Sequence, residues 1–154
     1  DSKIPEIQEK LATKSANSVA FVWITDTHWA SNDKHSPEII RELLKRTNLD
    51  CMIHGGDVIT GSTKKSMIHD AFNSLNQLSN GCMLPVALGN HDTNIYGSDG
   101  KFSYSEMLSM YKPIKSKLKF TDYPNSLSWF YLYKPDDGVQ PSVGFYALDT
   151  NDTG

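Results

Sequence analysis

Only two cysteines, Cys51 and Cys82, occur in the 154 residues, too few to staple a fold with a disulfide framework. One opens an apolar run and the other lies just before a second, so both are expected to pack as small hydrophobes. No apolar run approaches the roughly 20 residues that a bilayer-spanning helix needs. Positive charge is not in excess either. Fifteen basic residues against 18 acidic ones leave a net charge of −3, which excludes the broad basic footprint of a nucleic-acid or anionic-membrane binder. The one local cluster, Lys112, Lys115, Lys117 and Lys119, is expected to be a solvated face. There is no internal repeat and no low-complexity tract. All five histidines fall at or before His91. What remains is an ordinary soluble composition, 38% hydrophobic and 21% charged, in a chain long enough for one domain with a sizeable core. A soluble protein is expected, with the cytoplasm slightly favoured over secretion.

The chain is organised around Gly56-Asp57, flanked by Asp26-Thr27-His28 upstream and Gly89-Asn90-His91-Asp92 downstream. Each of the three signals follows a short apolar run that reads as a buried strand: Val19 to Ile24, Cys51 to Ile53, and Met83 to Leu88. The first run is continuous rather than alternating, which predicts a central strand covered on both faces. Helical patterns separate the runs. Ser36-Pro37 reads as N-cap and first helical position, followed by Ile39, Ile40, Leu43 and Leu44 at helical spacing. A second helix is expected from about Lys64 to Leu78, stopped at Asn80-Gly81. A β-α-β-α-β unit places its three strand ends, and whatever side chains leave them, in one crevice at the carboxyl edge of a parallel sheet. The fold class is therefore α/β.

Before this unit, Ile4, Ile7 and Leu11 predict a short amphipathic helix, so residues 1–17 read as a helical extension of a domain spanning 18–154. After it, Asn94 to Gly100 is a glycine-rich loop, and Ser103-Tyr104-Ser105-Glu106 has the spacing of a capping box opening a helix to about Tyr111. Leu127 to Tyr133 and Ser142 to Leu148 read as an antiparallel hairpin across an Asp136-Asp137-Gly138 turn. Trp129, Phe130, Tyr131 and Tyr133 are expected to pack it.

The strand ends carry metal-binding chemistry. Residues i and i+2 of a strand point the same way, so Asp26 and His28 can aim at one point. A carboxylate with an imidazole suits Zn, Fe, Mn or Ni better than calcium. Asp57 has two oxygens and can bridge two cations, and Asn90 can offer its amide oxygen to the second. Two cations about 3.5–4 Å apart are suited to clamping an in-line phosphoryl displacement. His91 could then donate a proton to the leaving oxygen, with Asp92 orienting its imidazole. Of the other histidines, His54 is expected to be packed behind the site, and His35 and His69 to face solvent.

Taken in order, Asp26-x-His28, Gly56-Asp57 and Gly89-Asn90-His91-Asp92 resemble the first three motifs of the calcineurin-like metallophosphoesterase superfamily. The resemblance is firm over residues 18 to 93. It implies a two-sheet β-sandwich flanked by helices, and hydrolysis of phosphate mono- or diesters by two divalent ions. It also implies that Asp26, His28 and Asp57 hold one ion, that Asp57 and Asn90 hold the other, and that His91 is the catalytic histidine. Purple acid phosphatases carry a tyrosine three residues after this aspartate, where Thr60 stands, so an Fe(III)-tyrosinate site is not expected. The family completes its site with a later histidine and a Gly-His-x-His motif, and no histidine follows His91. The 154 residues are therefore expected to be the N-terminal part of a truncated sandwich. Alone they should bind metal poorly and hydrolyse little, associating with a C-terminal half or with themselves. The rival expectation is a non-catalytic, metallophosphoesterase-like binding module.

Overall fold

A computed structural model describes residues 3–29, 35–62, 64–78, 87–115, 121–122, 126–133 and 143–148. Helix α1 (Ile4–Ala12) leads into strand β1 (Phe21–Ile24), helix α2 (His35–Arg46), strand β2 (Cys51–His54) and helix α3 (Lys65–Leu78). A single 3-10 turn at His91–Thr93 precedes helix α4 (Tyr104–Lys115) and strands β3 (Thr121–Asp122), β4 (Trp129–Tyr133) and β5 (Val143–Ala147). β1 and β2 pair in parallel, Phe21 opposite Cys51 through Ile24 opposite His54, and α2 supplies the crossover that parallel strands require. β3, β4 and β5 form an antiparallel sheet in that order. The expected hairpin is thus present, with Trp129 opposite Ala147, while its 136–138 turn lies outside the described residues. Among the described residues no helix is long and apolar enough to cross a membrane.

The core lies where α3 and α4 cover β2. All four residues of β2 are buried, and Ile68, Ala71, Phe72 and Leu75 of α3 meet Met107 and Met110 of α4, with Val58, Ile59, Phe102, Leu127 and Ala147 in the same cluster. Both helices are capped from sequence-encoded polar groups. Ser103 and Glu106 form the expected capping box, the Ser103 amide donating to Glu106 Oε2 at 2.7 Å and the Glu106 amide to Ser103 Oγ at 3.3 Å. The helix it opens runs on to Lys115 rather than ending near Tyr111, and Met107 and Met110 anchor it to the core. The first amide of α3 is satisfied from far along the chain, donating to Asp99 Oδ2 at 2.8 Å. Asp50 ties the layers together at the other end, accepting from Lys14 Nζ and from the Ala20 amide, each at 2.6 Å.

Two expectations need correction. β1 is not covered on both faces: Phe21 and Trp23 are 46% and 58% exposed, while Val22 and Ile24 pack on the core. The apolar run is continuous, but the strand's period of two sends alternate residues outward, and the helices cover one side only. α2 begins at His35, so Ser36 lies within its first turn instead of capping it, a position Pro37 tolerates because first-turn amides need no helical partner. Of the third expected strand, 83–88, only Ala87 and Leu88 are among the described residues. Residues 79–86 lie outside the described residues and 87–89 have no regular structure, although the Ala87 amide donates to the His54 carbonyl at 3.0 Å and so runs beside β2. Cys82 and the side chains of the Lys112–Lys119 cluster and of His35 also fall outside the described residues, whereas Cys51 is buried and His69 is exposed, as expected.

Candidate metal centre

Beyond Ile24 and His54 the two parallel strands end, but their backbones stay in contact. The Gly55 amide donates to the Ile24 carbonyl (2.8 Å), Asp26 to Gly56 (3.0 Å), His28 to Asp57 (3.3 Å) and Trp29 to Val58 (2.6 Å). Two turns therefore lie side by side at the carboxyl edge of the sheet. Asp26 and His28 share one target because both are left-handed, with φ of 53° and 46°, not because they alternate along a strand. Each such conformation costs a non-glycine residue about 1 kcal/mol or more. Asp57 is left-handed as well, with φ of 53°. Strain at three candidate ligands, and at only one other non-glycine residue described, Asn94, is the pattern of a site whose geometry is imposed by its surroundings.

At Asp57 the surroundings that impose it are chiefly Asp92. Its fully buried carboxylate accepts backbone hydrogen bonds from the Asp57 turn and from Gly89. Oδ2 takes the amides of Asp57 and Gly89, each at 2.9 Å, and Oδ1 takes those of Val58 (2.8 Å) and Ile59 (3.3 Å). Burial pushes the Asp92 carboxyl up to about 6, while the amides of Gly89, Ile59 and Val58 pull it down and the nearby Asp57 charge raises it. The expected pairing of Asp92 with the His91 imidazole is not what the contacts show. His91 Nδ1 instead lies 2.6 Å from the Thr60 carbonyl; a carbonyl only accepts, so Nδ1 carries the hydrogen. The reason is local. The 3-10 turn points the Asp92 carboxylate back under the Asp57 loop, and the His91 amide donates to Asp57 Oδ1 at 3.0 Å.

Glycine is required at two positions here. Gly56 has φ of 106°, and a Cβ there would stand 2.6 Å from the Gly89 nitrogen. At Gly89 a Cβ would overlap the Asp57 carboxylate. The segments bearing Asp57 and Asn90 can approach only because both residues lack a side chain.

The result is a cluster in which one ligand atom from each of Asp26, His28 and Asp57 lies within 4.8 Å of the others. His28 Nε2 is 3.8 Å from Asp26 Oδ1, and the His28 and His91 rings meet edge to face at 5.4 Å. Two carboxylates and an imidazole, brought this close and held in strained backbone, fit a divalent cation of the Mn, Fe or Zn type. Asn90 immediately precedes His91 on the segment docked against Asp57, with its side chain exposed. His54 lies behind the cluster, fully buried. The Gly56 amide donates to its Nδ1 at 3.1 Å, so its hydrogen sits on Nε2, 3.0 Å from Thr27 Oγ1. Thr27 is the residue between the two upstream candidate ligands, so this buried ring braces their turn. Burial holds the His54 pKa down to about 4.

Several contributors carried no motif signal: Thr27, the Thr60 carbonyl, and Gly61, whose φ is 73° and whose Cβ would press on His91 at 3.0 Å. Only the glycine two residues before Thr63 could have drawn notice, as a further left-handed position beside the second motif.

The family model of calcineurin-like phosphoesterases matches residues 19–150. No curated protein and no solved structure matches the chain significantly. The matched span takes in both parallel strands, the turns at their ends and the antiparallel hairpin, and the chain belongs to the calcineurin-like phosphoesterase family.

Proposed function

We propose that this chain carries the metal-holding face of a hydrolase that cleaves phosphate mono- or diesters at a pair of divalent ions. The convergence of Asp26, His28 and Asp57 at strained turns is the observation that carries the reading. In it Asp26, His28 and Asp57 would hold one ion, and Asp57 with the Asn90 amide oxygen would hold the second. When bound, the ions supply Lewis-acid charge at the phosphate and a nucleophile at neutral pH. The chain's own work is positioning and proton delivery. Since Nδ1 of His91 is committed to the Thr60 carbonyl, Nε2 is the ring nitrogen that passes a proton to the leaving oxygen. Asp92, through four amides, keeps Asp57 and the His91 segment in register.

The test pairs Mn²⁺ titration calorimetry with hydrolysis of a chromogenic phosphodiester. Asp57→Asn should lower both Mn²⁺ affinity and the Mn²⁺-dependent rate by about 100-fold or more. Unchanged rates in the variant would defeat the bridging role. Mn²⁺ binding that depends on Asp57 but supports no turnover would select the non-catalytic module instead.

A further inference from the structure

The turn after His91 presents an aromatic side chain at the mouth of the site. Tyr96 is 67% exposed and its neighbour Ile95 43%, and the Tyr96 ring meets the His91 ring edge to face, centroids 5.9 Å apart and planes at 64°. Isolated exposed aromatics are common on protein surfaces and need no explanation. This one differs in how firmly its backbone is held. The Tyr96 amide donates to the Gly61 carbonyl at 2.7 Å, next to the Thr60 carbonyl that holds His91. Asn94, fully buried and left-handed with φ of 55°, turns the chain back, its amide group donating to Asp99 Oδ1 and the Gly100 carbonyl at 3.2 Å each. Gly97 lies so close against the Asn94 amide that a Cβ there would overlap it. A two-torsion aromatic on a fixed backbone loses little freedom when a ligand ring packs on it.

From this arrangement we infer that Tyr96 forms a subsite for an aromatic leaving group, so that the substrates are phosphate esters of aryl or nucleobase-bearing alcohols rather than of small polar ones. The inference rests on the hydrolase reading, in which His91 faces the leaving oxygen; a ring that touches His91 is then within reach of whatever that oxygen carries. Tyr96 contributes its face, in offset or edge-on packing, and Ile95 extends the apolar rim.

The experiment titrates the Mn²⁺-loaded protein calorimetrically with phenylphosphonate and methylphosphonate, which share the phosphoryl group and differ in the ring. Phenylphosphonate should bind about fivefold more tightly, and Tyr96→Ala should erase that preference while leaving methylphosphonate within about twofold of wild type. Tyr96→Phe should keep the preference, since the ring and not the hydroxyl makes the contact. Equal affinities in wild type, a preference that survives Tyr96→Ala, or a Tyr96→Phe variant that behaves like Tyr96→Ala each overturn the subsite. If the two phosphonates bind equally and Asp57→Asn abolishes both, the subsite fails while the hydrolase reading stands. If neither binds in the presence of Mn²⁺, both fail together.

Discussion

The turn at Thr25–His28 and the turn at Gly55–Val58 meet at one candidate cation site, yet they are held in opposite ways. The first hangs on the second: its Asp26 and His28 amides donate to the carbonyls of Gly56 and Asp57, the following Trp29 amide donates to that of Val58, and its Asp26 is mostly solvent-exposed. The second is gripped from behind by a buried carboxylate that accepts four amides. A hydrogen bond to a buried charge is stronger than a neutral one, and the loss of its partner leaves donors unsatisfied. The upstream turn is thus a passenger on a rigid downstream frame. Damage to the frame should cost folding and binding together, whereas damage to the passenger should cost binding alone.

The largest expected effect comes from removing the grip. Asp92→Ala strands the amides of Asp57, Val58, Ile59 and Gly89 and should destabilise the fold by about 3–5 kcal/mol in urea denaturation. A loss under 1 kcal/mol would mean that water or another group replaces the carboxylate readily. The buried pair behind the site should also show in the pH dependence of stability, measured in EDTA. His54 has a folded pKa of about 4, below its ordinary value, so its contribution is complete above about pH 6.5 and is lost as pH falls through 4. Asp92 has a folded pKa of about 6, above its ordinary value, so its contribution is complete below about pH 4 and fades as pH rises through 6. The two slopes oppose each other, and wild type should be nearly flat between pH 4 and 6. His54→Gln should then lose stability as pH rises across that window, and Asp92→Asn as pH falls, each by about 3 kcal/mol.

Gly56→Ala probes the frame's backbone, forcing a Cβ against the Gly89 nitrogen at φ of 106°, and should cost about 2–3 kcal/mol by the same denaturation. The smallest effect on stability, and the one of opposite sign, belongs to the passenger. Glycine in place of His28 relieves a left-handed φ and should raise stability by up to about 1 kcal/mol while lowering Mn²⁺ affinity by at least about tenfold. A destabilised His28→Gly variant with unchanged Mn²⁺ affinity would reverse the assignment of frame and passenger.

Much of this was readable from residue order alone. Ser103 and Glu106 announced their helix because a capping box is a contact between residues three apart. Asp26, His28 and Asp57 stood out because each follows an apolar run and the parallel pairing of those runs brings their ends together. The grip of Asp92 was not readable. Its partners Asp57 to Ile59 are more than thirty residues upstream, and no local spacing encodes a contact between two turns. The same holds for Asp99, which satisfies the first amide of α3 from 34 residues away. The left-handed turns were missed for a different reason: strand alternation offered a sufficient explanation for the convergence of Asp26 and His28, and only backbone dihedrals show that sterically costly turns achieve it. The exposed face of Phe21 and Trp23 was hidden because a continuous apolar run looks the same whether one side or two are covered.

The most direct test of the central claim, that residues from two neighbouring turns hold a divalent cation, is an anomalous difference map from crystals soaked in Mn²⁺. A peak bounded by the Asp26 and Asp57 carboxylates and the His28 imidazole is predicted, absent from crystals of Asp57→Asn. A peak elsewhere on the molecule, with those three side chains unligated, would contradict it.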